Sequence, residues 1–102
     1  LQVPISVSYN SDPEQVERLL IEETKKAMGE VEGLREDFEP VVRFNPGFGE
    51  SSLDFTLVCQ IEGVMMQFAV LHELRRRIFK RFKEEGVEIP FPQRVLHVKR
   101  DL

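Results

Sequence analysis

LDFTLVCQIEGVMMQFAVLHELRRRIFKRFK, residues 53–83, changes its hydrophobic period in mid-course, and that change decides the fold. Leu53, Phe55, Leu57, Cys59 and Ile61 alternate with Asp54, Thr56, Val58 and Gln60, the two-residue repeat of a strand with one buried face. After Gly63 the repeat lengthens to that of a helix. Leu71, Leu74, Ile78 and Phe82 form one stripe, with Phe68 and Phe79 beside it. Lys and Arg crowd the last turns, where they complement the negative end of the helix, and Gly86 is placed to cap it.

Upstream of this stretch, Val42 and Phe44 share one face of a strand opened by Pro40. The run Asn45-Pro46-Gly47-Phe48-Gly49-Glu50 reads as the hairpin loop into the next strand. Further back, Val3, Ile5, Val7 and Tyr9 alternate as a first strand, in which Pro4 demands an edge or a late start to pairing. Ser11 or Asp12 then offers an N-cap, and Pro13 suits the first helical position because its missing amide hydrogen costs nothing there. Val16, Leu19, Leu20 and Ala27 follow at helical spacing, and Gly29 and Gly33 mark the end region. Downstream, Val87, Ile89 and Phe91 alternate as a short fourth strand, with Pro90 and Pro92 forcing it to an edge or out of the sheet. Leu96 and Val98 against Val95 and His97 form a second short alternation in the tail. The order is β-α-β-β-α-β with a short extra strand, and it predicts an α+β, ferredoxin-like sandwich: an antiparallel sheet with two helices on one face.

With 102 residues there is room for one domain. A hydrophobic fraction of 41% beside 31% charged residues is that of a globular protein. No apolar run approaches the roughly 20 residues that cross a bilayer, and no signal-peptide layout opens the chain. The start at Leu1, directly inside a strand pattern, suggests a piece of something larger. Cys59 is the only cysteine, so no internal disulfide can form; in its apolar alternation it reads as a small core residue in a reducing compartment. Charge is uneven: residues 63–102 carry nine Lys/Arg against five Asp/Glu, residues 1–62 five against thirteen. The basic run Arg75-Arg76-Arg77 and Lys80-Arg81-Lys83 reads as a solvated helix face, with anionic lipid or nucleic acid as the less favoured alternative.

Catalytic patterns are missing. His72 and His97 have no third ligand at metal-site spacing, and Glu84-Glu85 sit in a charged helix end where nothing would raise a pKa. Ser51-Ser52 lack a His/Asp partner pattern, and Gly47-Phe48-Gly49 precedes a strand instead of a phosphate-binding helix. RNA-recognition modules share this element order but read bases with exposed aromatics on the third strand. Here that strand offers one aromatic, Phe55, beside Asp54, so no nucleic-acid partner is expected. No enzyme, cofactor or metal is expected.

Three segments carry a family likeness: VSYNSDPEQV (7–16), PVVRFNPGFGESSLDFTLV (40–58) and RRRIFKRFKEEGVEIPFPQ (75–93). The first resembles a strand-into-helix passage, the second a hairpin with a small-residue pair entering the third strand. The third, a basic helix ending in Gly and then Ile-Pro-Phe-Pro-Gln, is similar to the signature closing the C-terminal domain of small-conductance mechanosensitive (MscS) channels. That resemblance implies a homo-heptameric parent in the cell's inner membrane, with its pore helices outside this sequence. It places this domain on the cytoplasmic side, in a vestibule through which ions and small solutes pass. It divides the chain into a vestibule domain, 1–93, and a tail strand, 94–102, that joins a small barrel with its neighbours. Pro90, Phe91, Pro92, Gln93, Val95, Leu96, His97 and Val98 are then the expected oligomer-interface residues. The alternative is a free-standing ferredoxin-like regulatory module that binds a small ligand or pairs through an edge strand.

Overall fold

The computed structural model describes residues 1–90. Strand β1 (Gln2–Ser8) leads into helix α1 (Pro13–Met28); strands β2 (Val41–Phe48) and β3 (Ser52–Val58) follow; a 3-10 turn (Val64–Met66) then opens helix α2 (Gln67–Glu85). The sheet order is β1-β3-β2, with both pairings antiparallel. β1 and β2 therefore run parallel with β3 between them, and α1 is the crossover of a split β-α-β unit.

The alternations read from the sequence set the register. Val3, Ile5 and Val7 lie opposite Leu57, Phe55 and Leu53, all six on the buried face. Both helices cover this face, α1 with Val16, Leu19, Leu20 and Ala27, α2 with Val70, Leu74, Ile78 and Phe82. The stripe on α2 thus begins at Val70; Leu71 is only half-buried. Phe68 and Phe79 stand outside it, 77% and 55% exposed. Cys59 is buried in the same core, and burial pushes its thiol pKa up. Thr24 is buried too, its hydroxyl donating to the Leu20 carbonyl at 2.7 Å.

Local chemistry fixes the helix ends. Asp12 accepts from the Glu14 amide at 3.1 Å, and Pro13 occupies the first turn. Gly86 closes α2 with φ of 77°, the left-handed conformation that glycine adopts without steric penalty, and Val87 then donates back to the Phe82 carbonyl at 2.9 Å. The link from α1 to β2 is stapled to the residues after β3. Leu34 bridges Ile61, and the amides of Arg35 and Glu62 donate to the carbonyls of Gln60 and Gly33. Gly33 has φ of 93°, and a Cβ there would fall 2.8 Å from Met66, so this crossing admits no side chain.

Two expectations are corrected. The residues expected to form the β2–β3 loop do not all lie in a loop: β2 runs on to Phe48, the register shifts between Arg43 and Gly47, and the turn contracts to Gly49–Ser51 with the Gly49 amide donating to Ser52. The extra residues are held as a bulge because the Thr56 hydroxyl donates to the Asn45 carbonyl at 2.7 Å. Second, residues 87–90 form no strand. Leu1 and Cys59 exchange two backbone bonds, which turns the even-numbered residues of β1 away from β3. Pro4 lies on that open edge, where its missing amide hydrogen costs no ladder bond. Ser8 donates to the Glu88 carbonyl at 2.9 Å, but an antiparallel continuation would set Pro90, which cannot donate, opposite Ser6. Phe91, the last residue of the expected strand, lies outside the described residues.

Candidate functional site

Helix α2 carries the residues on which any functional reading of this chain turns, and its two flanks differ. Towards α1, Arg81 donates to Glu23 and Glu22, both at 2.9 Å, and to Glu85 on its own helix at 3.1 Å. Arg77 reaches Glu30 at 3.1 Å and Glu73 at 3.4 Å. The Arg81 guanidinium holds the Glu22 carboxyl below the usual carboxylate range, and the carboxylates in turn push the pKa of Arg81 up. Glu73 is lowered in the same way, chiefly by its hydrogen bond from Arg76. The basic run is therefore not one solvated face. Arg81 locks α2 to α1 and Arg77 locks it to Glu30 just beyond α1, whereas Arg75 and Lys80 are exposed and form no salt bridge among the described residues.

Away from α1, the side chains are uncovered. Val64, Met65 and Phe68 are 78%, 92% and 77% exposed, and Phe79 lies further along the same flank with the Lys83 ammonium 6.0 Å from its ring centroid. This flank overlooks the open edge of β1. There Phe79, Lys83, Val87, Ile89 and Pro90 line a groove of about 780 Å³ with Ser8 and Ser51.

Of the residues expected at an interface, Pro90 is half-buried at this groove. Phe91, Pro92, Gln93, Val95, Leu96, His97 and Val98 lie outside the described residues. The sequence reading set Phe68 and Phe79 beside a core stripe and missed the distant partners of Arg77 and Arg81. Met65 is outward, while Met66 packs on the core. The i, i+4 spacing of Val64 with Phe68 and of Phe79 with Lys83 was a legible signal for a second helix face.

The other side chains weighed for chemistry have structural surroundings. Ser52 and Ser6 both donate to Asp54, at 2.7 and 2.8 Å, on the solvent side of the sheet. Gly47 lies inside β2, His72 is exposed, and Glu85 is held by Arg81. Among the described residues no group of three His, Cys, Asp or Glu could hold a metal ion.

These features define a small α+β domain with one helix flank locked by ion pairs and the other open. Residues 1–89 match the family model described as mechanosensitive ion channel MscS, C-terminal, and with that match spanning most of its length the chain belongs to this family of channel domains. No curated protein matches the chain. Among the described residues no helix is long and apolar enough to cross a membrane.

Proposed function

We propose that this chain is a wall domain of the cytoplasmic vestibule of a tension-gated channel, contributing to heptamer assembly and to the filtering of solutes during osmotic ion release. The observation that carries this reading is the family match over residues 1–89, which covers every described strand and helix. In this reading residues 1–93 form the wall, with the β-α-β-β-α order of the described elements, and residues 94–102 supply a strand to a small barrel shared with neighbouring subunits. The membrane is reached only through other segments of the parent, and the role requires no reaction, cofactor or nucleic acid.

The exit of the chain supports the division of labour. Glu88 is tied to β1 by a single backbone bond, and Pro90 prevents the ladder from extending in register. Pro90, Phe91, Pro92 and Gln93 then direct the chain towards its neighbours instead of completing the sheet. Replacing both prolines by alanine in the parent channel tests this. Native-gel or mass analysis of the detergent-solubilised protein should show heptamer lost, while urea unfolding of the domain stays close to wild type. Equal loss of assembly and folding would contradict the assignment.

A further inference from the structure

We infer that the outer flank of α2 is one half of a head-to-tail interface between copies of this chain, its aromatic–basic end seating against the acidic groove at the opposite end of α2 in the next copy. This rests on the assembly reading above.

The flank is a continuous strip. Val64, Phe68, Arg75, Phe79 and Lys83 follow at helical spacings over about 30 Å of helix, and all five are exposed. The core of the domain is complete without them, since α2 already buries Val70, Leu74, Ile78 and Phe82. Exposed apolar side chains rimmed by charge mark an interaction site when a partner of matching chemistry exists.

Its charges select the partner. Neither Arg75 nor Lys83 forms a salt bridge among the described residues, and Lys83 instead lies over the Phe79 ring. Two copies of this strip packed face to face would set these cations against one another, so the complementary surface is acidic. The chain supplies one. A groove of about 680 Å³ runs between residues 28–37 and Glu62, with Val31 and Leu34 in its lining. Of its acids, Glu30 and Asp37 are already paired, with Arg77 and Arg35. Glu32, Glu36 and Glu62 form no salt bridge among the described residues.

Groove and strip cannot satisfy each other within one molecule. Glu62 precedes α2, whereas Phe79 and Lys83 lie near its far end, about 25 Å along the axis. A contact that joins one end of a subunit to the other end of the next is heterologous, the type that closes rings. The same acids disfavour an anionic lipid surface, because Glu62 directly precedes the Gly63–Val64–Met65 end of the strip.

Sedimentation equilibrium of the chain, residues 1–102, tests the inference with two charge reversals, Arg75→Glu/Lys83→Glu on the strip and Glu32→Lys/Glu36→Lys in the groove. Wild type should self-associate reversibly at high concentration, and each reversal should weaken association by about tenfold or more. Mixing the two reversed proteins should restore association in alternating order, since each strip then meets a groove of opposite charge, while either protein alone sets like charges together. A mixture no tighter than either reversed protein alone, or wild-type association untouched by the strip reversal, would overturn the inference and leave the assembly reading standing. Wild type monomeric at every concentration would likewise overturn the inference and leave the assembly reading, which concerns the parent channel, standing. Binding of wild type to phosphatidylserine vesicles, lost in the strip reversal, would reassign the flank to a membrane.

Discussion

The two flanks of α2 are built from the same residue types and end in opposite states. On the inner flank Arg81 finds carboxylates on α1 and Arg77 finds Glu30 just beyond its end, and the aliphatic and aromatic side chains between them and the sheet are buried. On the outer flank Arg75 and Lys83 keep company with Phe68 and Phe79, and nothing among the described residues covers them. Composition does not distinguish the two. The topology does, because α1 lies on one side only and β1 leaves its outer edge open on the other. The difference separates residues that make the domain fold from residues the domain holds out to something else.

Truncation is the harshest test of that separation. Leu74→Ala, on the buried stripe, should cost about 2–5 kcal/mol in urea unfolding, as deletion of well-packed core side chains does. The double variant Phe68→Ser/Phe79→Ser removes two larger side chains from the outer flank, yet dilute protein should lose no more than about 0.5 kcal/mol, the usual range for surface positions. Comparable losses at the two places would erase the distinction.

A smaller and purely electrostatic effect belongs to the inner flank. Glu22 has its pKa lowered in the folded state, below an ordinary value of 4.5, principally by the hydrogen bond from Arg81. A depressed carboxylate contributes stability that is fully present above its unfolded pKa and disappears as pH falls through the folded one. Unfolding measured from neutral pH downward should therefore lose part of its midpoint below about pH 4.5, and Arg81→Met should flatten that acid limb. The charged groups facing Glu22 are Arg81 and Arg18, so Arg18→Met should have the lesser effect, being the weaker and more exposed partner. An acid limb unchanged in Arg81→Met would mean the node does not hold in solution.

Much of this separation was legible in the sequence, and the parts that were not share a cause. β1, α1 and β3 followed from local period, because each buries one face and a strict repeat records it. The Asp12 cap and the Gly86 stop are also local signals. The bulge in β2 was not legible, since what holds it is the Thr56 hydroxyl on the neighbouring strand, 11 residues from Asn45. The partners of Arg81 lie 58 and 59 residues away, so a reading along the chain could register a basic run but not which members of it were engaged. Phe68 and Phe79 were set beside a core stripe because a helix offers an apolar arc without saying where its neighbours stop. The fourth strand was a conflict between an apolar alternation and two prolines, and over residues 87–90 the missing amide hydrogens prevailed.

The most direct test of an open outer flank is the urea midpoint of the chain measured across a wide range of protein concentration. A self-associating native state gains stability by mass action as concentration rises. Wild type should show a rising midpoint, and Phe79→Asp should share its dilute value but stay flat. A midpoint that rises equally in both proteins, or a Phe79→Asp midpoint already depressed at high dilution, would contradict the account.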